Sequence, residues 1–77
     1  MILKIISEAM DIQFIDHIKQ FTYSRDWIEK DSDGVIRKEK CIVKCLIIKD
    51  DDANHQIETA DTVYLLNDEG KTIEHIN

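Results

Sequence analysis

The sequence predicts an α+β domain in which one amphipathic helix packs on a four- or five-stranded, mainly antiparallel sheet, in the order β-α-β-β-β-β. A dense apolar run from Cys41 to Ile48 is rich in β-branched residues, as strands are. Between Met10 and Phe21, apolar residues recur at spacings of three and four, which is typical of a helix. Three clusters of turn residues interrupt the rest of the chain. A helix lying across the resulting meander is the simplest way to bury the apolar faces.

The stretch CIVKCLIIKDDD, residues 41–52, is predicted to form the centre of this sheet. In a strand, alternate residues point to opposite faces. One face then carries Cys41, Val43, Cys45 and Ile47, and the other carries Ile42, Leu46 and Ile48 together with Lys44. Since both faces are mainly apolar, we expect a central strand that is covered on both sides. The two cysteines would lie roughly 13 Å apart along it, too far for a disulfide, so buried free thiols are expected.

The N-terminal third predicts a strand followed by the helix. Ile2–Ile6 is a short apolar strand. Ser7 is a residue type that caps helices, and Glu8 is favourable in the first turn of the helix dipole. The helix is predicted to run from there to about Tyr23, with a buried stripe made of Met10, Phe14, Ile15, Ile18 and Phe21, while Ile12 lies outside the main stripe. Whether Tyr23–Lys30 continues this helix or begins the second strand is left open.

The remaining two thirds predict strands joined by polar turns. Asp31-Ser32-Asp33-Gly34 has strong turn chemistry, because Asp tolerates and Gly favours positive φ. The predicted elements after it are a strand at Val35–Lys49, a turn at Asp50–Asn54, a strand at Gln56–Leu66, a turn at Asn67–Gly70 and a last strand at Lys71–Ile76. The long strand is expected to bend where four charged residues, 37–40, interrupt its apolar pattern.

Length and charge narrow the class of protein. Seventy-seven residues predict a single domain, 1–77, with a thin core. The formal charge is −6, from 16 acidic and 10 basic residues. Because neutralisation of phosphates by basic side chains supplies most nucleic-acid affinity, we expect no direct nucleic-acid binding. The N-terminus lacks the pattern of a signal peptide, and no apolar run is long enough to span a bilayer, so a cytoplasmic location without membrane contact is expected.

Motifs for metal binding and catalysis are weak. The run from Glu29 to Ile36 resembles the start of an EF-hand loop, but Lys40 stands where the loop needs a bidentate glutamate. We therefore expect a turn and not a calcium loop at Asp31–Gly34. The three histidines, at positions 17, 55 and 75, show no zinc-site spacing with the cysteines. Because phosphate loops and nucleophile motifs are also missing, the chain is expected to hold no cofactor and to be no enzyme.

The acidic turns are the predicted contact surface. Their carboxylates belong to Asp31, Asp33, Asp50, Asp51, Asp52, Asp68 and Glu69. In a meander, alternate turns gather at the same end of the sheet. The turns with Asp33 and Asp68 are therefore expected to lie together, opposite the turn of Asp50–Asp52.

These observations predict a small acidic module that binds another protein through a basic surface on that partner. Carboxylates on a compact scaffold can imitate a track of phosphates. Small acidic inhibitors made by phages, including many anti-CRISPR proteins, are similar in composition. An anti-defence inhibitor of a nucleic-acid-handling protein is thus the leading hypothesis. The alternative is a homodimeric β-sheet domain that uses an uncovered sheet face for self-association or for a small ligand.

Overall fold

The computed structural model is all-β, and it describes the backbone of residues 1–77 and the side chains of residues 1–27, 33–35 and 41–77. Its seven strands are β1 (Ile2–Ile6), β2 (Ile12–Ile15), β3 (Ile18–Ser32), β4 (Val35–Lys49), β5 (Asn54–Thr59), β6 (Thr62–Leu66) and β7 (Thr72–His75). The described residues form no helix, so the predicted α+β class is wrong.

The strands form two antiparallel sheets that share one core. A four-stranded sheet has the order β2-β1-β6-β7, and a three-stranded sheet has the order β3-β4-β5. The buried core draws on both sheets through Leu3, Ile5, Ile18, Cys41, Val43, Cys45, Ile47, Val63 and Leu65, and it also includes Ile76 after β7. Two sheets that cover each other bury their apolar faces without a helix.

Strand β3 crosses over the four-stranded sheet. At its start, the amide of Ile18 donates to the carbonyl oxygen of Met1 at 3.2 Å, and the amino group of Met1 donates to the Ile18 carbonyl oxygen at 3.1 Å. Further along β3, the hydroxyl of Tyr23 donates to Oε1 of Glu74 on β7. The strand therefore begins near the start of β1 and extends to β7, which is one edge of the four-stranded sheet.

The segment predicted as a helix forms a turn, β2 and the start of β3 instead. Met10 and His17 adopt positive φ, 64° and 55°, which breaks any helix at both points. The Oγ of Ser7 accepts a hydrogen bond from the amide of Asp11 at 3.1 Å, so it stabilises a hairpin loop and does not cap a helix. Residues 23–30, for which the sequence allows either a helix or a strand, belong to β3.

Strand β4 has the predicted bounds and the predicted central position, between β3 and β5. Its four inward residues, Cys41, Val43, Cys45 and Ile47, are all buried, and both cysteines are free thiols as predicted. The expectation of cover on both sides is wrong. Leu46, on the opposite face, is 51% exposed because nothing in the described part of the chain packs over that side.

The strand predicted at Gln56–Leu66 is two strands in different sheets. β5 ends at Thr59, and β6 begins at Thr62. The corner between them is held by the amide of Asp61, which donates to Oγ1 of Thr59 at 3.0 Å. The Nδ2 of Asn77 adds hydrogen bonds to the carbonyl oxygens of Ala60 and Asp61 at 3.3 and 2.9 Å. These contacts allow the chain to change sheets without a glycine or a proline.

Three hairpin loops share one hydrogen-bond pattern. In each, the first residue's amide donates to the fifth residue's carbonyl oxygen, and the fourth residue's amide donates to the first residue's carbonyl oxygen, at 2.8–3.0 Å. The loops are Ser7–Asp11, Lys49–Ala53 and Asn67–Lys71. Their fourth residues, Met10, Asp52 and Gly70, all have positive φ. Only the glycine adopts this conformation without a steric penalty.

The hairpin of β3 and β4 gives the molecule its length. Asp33 and Gly34 form a two-residue turn with φ of 55° and 78°, which confirms the predicted turn. Each strand has 15 residues, long enough at about 3.3 Å per residue to account for the 50 Å axis of the 50 × 24 × 20 Å molecule. β5 pairs with β4 only between Val43 and Ile48.

Candidate functional site

The turn with Asp68 lies at the same end of the molecule as the turn of Asp50–Asp52. The Met1 amino group, which bonds to Ile18, also donates to Oδ1 of Asp68 at 2.8 Å. Ile18 is opposite the last residue of β4, and the amide of Asp50 donates to the carbonyl oxygen of His17 at 2.8 Å. We call the carboxylates gathered here the acidic end: Asp16, Asp50, Asp51, Asp52 and Asp68.

The expected grouping of the acidic turns is therefore wrong. Asp33 lies at the tip of the β3–β4 hairpin, and Asp50–Asp52 follow the far end of β4. Asp68 and its neighbour Glu69 join the second group, because the chain changes sheets at the β5–β6 corner instead of continuing one meander. The side chain of Asp31, also a predicted site residue, lies outside the described side chains, as does that of Lys40.

Much of the charge at the acidic end is already compensated. Lys19 Nζ lies 2.7 Å from Asp52 Oδ1, and Lys49 Nζ lies 3.7 Å from Asp16 Oδ1. His17, when protonated, faces Asp16 at 3.7 Å and Asp50 at 3.9 Å. These pairs are solvent-exposed, so each contributes little to stability, but together they reduce the local negative field.

The N-terminal ammonium has a separate effect on Asp68. Its hydrogen bond and its charge lower the pKa of that carboxyl below the usual value, and the charge of His17 acts in the same direction. Asp68 therefore stays ionised to lower pH than an isolated aspartate does.

An apolar surface covers the outer side of the four-stranded sheet. Leu3 and Ile5 face the core, so the alternate residues of β1 and the residues directly opposite them face outward. We call the outward apolar residues the apolar face: Ile2, Ile6, Ile12, Phe14 and Tyr64. Leu66, opposite Ile2, is buried and does not contribute to it. Ile12 is 53% exposed and Phe14 is 59% exposed.

A row of side chains crosses the apolar face from one edge to the other. Lys4 on β1 lies between Phe14 on β2 and Tyr64 on β6, and Tyr64 is opposite His75 on β7. The rings of Tyr64 and His75 stack with centroids 4.5 Å apart and planes at 22°. Stacking fixes these two rings as a flat, half-exposed platform at one side of the face.

The outer side of the three-stranded sheet differs in chemistry. It forms a shallow concavity of about 530 Å³ whose outward residues are mostly polar, namely Thr22, Ser24, Lys44, Gln56 and Glu58 with Leu46. Lys44 also lies 3.4 Å from Asp26 on β3. Because most of these side chains are polar, this side of the three-stranded sheet can remain in contact with water.

A hydrogen bond joins the two sheets where Tyr23 meets Glu74. The hydroxyl donates to the carboxylate, and this bond, followed by partial burial and the negative charge of Glu74, raises the pKa of Tyr23 above 10.0. The nearby Arg25 guanidinium, 5.8 Å from the ring centroid, acts in the opposite direction. The folded protein therefore favours the neutral form of the Tyr23 side chain.

The two cysteines are buried free thiols. Cys45 is almost fully buried, and burial raises the pKa of its thiol, which makes the reactive thiolate scarce. Among the residues whose side chains are described, no three of the types His, Cys, Asp and Glu are close enough to hold a metal ion.

Comparison of the chain with protein-family models, with curated proteins and with solved structures gives no significant match. In the part of the chain that the structure describes, no helix has the length and apolarity needed to span a bilayer. The residues themselves must therefore carry any functional argument.

The apolar face contains residues that the sequence did not single out. The sequence predicts Phe14 on the buried stripe of a helix, whereas the residue is exposed on β2. A signal for this was available in Ile12, which fits no helical stripe but alternates with Phe14 on one side of a strand.

Proposed function

We propose that this chain is a small protein-binding domain that acts by binding rather than by catalysis, and that its contact surface is the apolar face. The observation that carries this proposal is the exposure of Ile12 and Phe14 on β2, with Ile6 opposite Ile12 on β1 and Tyr64 on the far side of Lys4 on β6. Single exposed apolar residues are common on protein surfaces, but contiguous apolar patches mark interaction sites.

The shape of the apolar face favours a protein partner over a small ligand. Four strands spaced about 4.8 Å apart, each four or five residues long, make a surface roughly 15 Å on a side. Small-ligand sites are usually concave and enclose most of the ligand. An open sheet that presents the rings of Phe14 and Tyr64 on two of its strands instead resembles a protein interface, where aromatic residues are enriched.

A matched pair of surface variants tests this proposal. Phe14→Thr removes the largest exposed ring of the apolar face, and Leu46→Thr makes a similar change on the outer side of the other sheet, where Leu46 is 51% exposed. Proteins captured from a lysate of the chain's own source should be lost with Phe14→Thr and retained with Leu46→Thr. Circular dichroism of both variants serves as the folding control. Equal capture by wild type and Phe14→Thr would reject the apolar face as the contact surface.

The acidic end supports a second candidate function, an inhibitor that occupies a basic groove of a nucleic-acid-handling protein. The observation that favours it is the convergence of Asp50–Asp52 and Asp68 at one end of the molecule. Carboxylates grouped in this way steer a basic partner and set the salt dependence of binding. This candidate ranks second, because Lys19, Lys49 and His17 already face part of the cluster.

The two candidates respond differently to charge reversal and to salt. Replacing Asp50, Asp51 and Asp52 with lysine should abolish binding through the acidic end and leave binding through the apolar face nearly unchanged. Raising the salt concentration weakens the first interaction steeply and the second less, because apolar contacts supply most of the second. Binding and melting temperature should be measured on the same triple variant, because it also removes the Lys19–Asp52 ion pair. Unchanged binding at low salt would reject the acidic end.

A further inference from the structure

Strand β2 is a short sheet edge that has neither a charged side chain nor a register shift. It pairs with β1 on one side through four consecutive residue pairs without a register shift. Its side chains, Ile12-Gln13-Phe14-Ile15, are all uncharged. The other edge strands carry charges or irregularities: β3 has Lys19 and a register shift beside it, β5 has Glu58, and β7 has Glu74 and a shift of its own. Natural proteins use such features to block the addition of a further strand, and β2 lacks them.

A strand added to β2 would extend the apolar face. Ile12 and Phe14 point outward, so alternate side chains of an added strand would lie beside them on the same side. On the inner side, the added strand would meet Gln13 and the adjoining hollow of about 150 Å³. That hollow is lined by Ile5, Ser7, Asp11, Ile12, Gln13 and Asp61. The edge thus offers backbone hydrogen bonds, apolar contacts on one side and a polar hollow on the other.

The charges around the edge favour a basic occupant. In the described part of the chain, the carboxylates of Asp11 and Asp61 have no ion pair, although both line the same hollow. Asp16, at the other end of β2, already has Lys49 within 3.7 Å. The uncompensated negative charge therefore lies around the start of β2, with Asp11 next to the strand and Asp61 across the hollow, and it would attract a lysine or arginine placed there.

The same charges disfavour a second copy of this chain. If β2 paired antiparallel with β2 of another copy about a two-fold axis at its centre, Asp11 would lie opposite Asp16 of that copy. Like charges directly opposite each other destabilise a strand pair. The net charge of −6 on each copy adds a long-range repulsion.

We propose that β2 binds an extended segment of a partner protein by antiparallel strand addition, and that this segment has apolar residues at alternate positions and a basic residue at its C-terminal end. Antiparallel pairing places that end beside Asp11, because β2 begins there, with Asp61 across the adjoining hollow. Backbone hydrogen bonds supply the pairing, and side chains at alternate positions supply the selectivity. The inference rests on the proposed function, since it names the partner of the same apolar face.

Synthetic peptides test the inference by calorimetric titration. The probe is a capped seven-residue peptide of alternating threonine and valine that ends in two lysines, and its control ends in two glutamates. The lysine peptide should bind at least about tenfold more tightly than the glutamate peptide. Its charges attract the aspartates, whereas the glutamates of the control are repelled by them. The double variant Asp11→Asn, Asp61→Asn should remove most of this preference, whereas Asp26→Asn on β3 should leave it intact. Equal binding of the two peptides, or no binding of either, overturns the inference.

Backbone methylation tests the strand addition itself. Amide methyl groups on the valines block one edge of the peptide, and those on the threonines block the other. Only one of the two methylated peptides should lose binding to wild-type protein, and Phe14→Thr should weaken binding of the unmethylated peptide. If both methylated peptides bind as the parent does, the segment does not pair with an edge.

The outcomes also separate this inference from the proposed function. Loss of the lysate partner with Phe14→Thr, combined with failure of every peptide, keeps the apolar face as a contact surface and rejects the basic segment. Retention of the lysate partner by Phe14→Thr rejects the apolar face. A concentration-dependent dimer that dissociates when the lysine peptide is added would identify a second copy as the occupant of the edge and overturn the inference.

Discussion

The two sheets bury their inner sides in one core but present different surfaces to solvent. Outward residues of the three-stranded sheet are mostly polar, as at Thr22, Ser24 and Gln56. The four-stranded sheet exposes Ile12 and Phe14 instead. Since the core is complete on the inner side of both sheets, exposed apolar groups on one outer side add little to folding. Their presence is the reason for proposing a contact surface on this side.

The largest expected effect separates the inner and outer sides of a single strand. Ile47 is 1% exposed, and its neighbour Leu46 is 51% exposed on the opposite face of β4. Ile47→Ala should cost about 2–5 kcal/mol of the free energy of unfolding, and Leu46→Ala less than about 1 kcal/mol. Urea melts of the two variants measure both values. Similar losses in the two variants would show that the outer side is packed as well.

A change of similar size in the other sheet tests whether there is one core. Leu3 is fully buried on β1, and Leu3→Ala should also cost about 2–5 kcal/mol. Because both sheets contribute to the same cluster, the variant should still unfold in a single transition. Fluorescence of Trp27, on β3, and far-ultraviolet circular dichroism should give the same midpoint. Two separate transitions would mean that the sheets fold independently.

A smaller effect is expected in the hairpin loops of the four-stranded sheet. Met10 and Gly70 occupy the same loop position with positive φ, 64° and 86°. Met10→Gly should raise stability and Gly70→Ala should lower it, each by about 1 kcal/mol, because a side chain is strained in this conformation. No atom lies within 4 Å of where a Cβ on Gly70 would stand, so backbone strain alone is measured. Opposite shifts in thermal melts are the expected result.

The smallest effect concerns the hydrogen bond that links the sheets. The pKa of Tyr23 is raised in the folded protein, so its contribution to stability is present below the unfolded pKa near 10.0 and is lost as pH rises through the folded value. Ultraviolet absorbance should show one of the two tyrosines ionising late. Glu74→Gln should remove that delay. A delay that persists in Glu74→Gln would assign it to a cause other than this bond.

The elements that the sequence predicted well are those specified by adjacent residues. β4 follows from its alternating β-branched run, and the Asp33–Gly34 turn follows from two residue types that tolerate positive φ. The prediction of a helix was wrong because spacings of three and four between apolar residues can arise by chance in a β-hairpin. The positive φ of Met10, which turns the chain there, has no signature in that residue type.

The candidate site was predicted less well, since it depends on which strands become neighbours. The acidic residues lie in turns, as their chemistry indicates. Their grouping required knowing that the chain changes sheets at Ala60–Asp61, where the sequence carries no strong turn signal. The apolar face required knowing that β1 lies between β2 and β6. Such long-range pairing is set by the whole core and not by local sequence.

The position of β1 between β2 and β6 also bears on how the protein is made. β2 follows β1 directly, but β6 begins only at Thr62, so a ribosome delivers the second neighbour of β1 last. The three-stranded sheet, in contrast, consists of consecutive hairpins that can pair as they emerge. Contacts between distant parts of a chain form slowly, because a long loop must close first. During synthesis, the β1–β2 hairpin therefore has two open edges until β6 has been made.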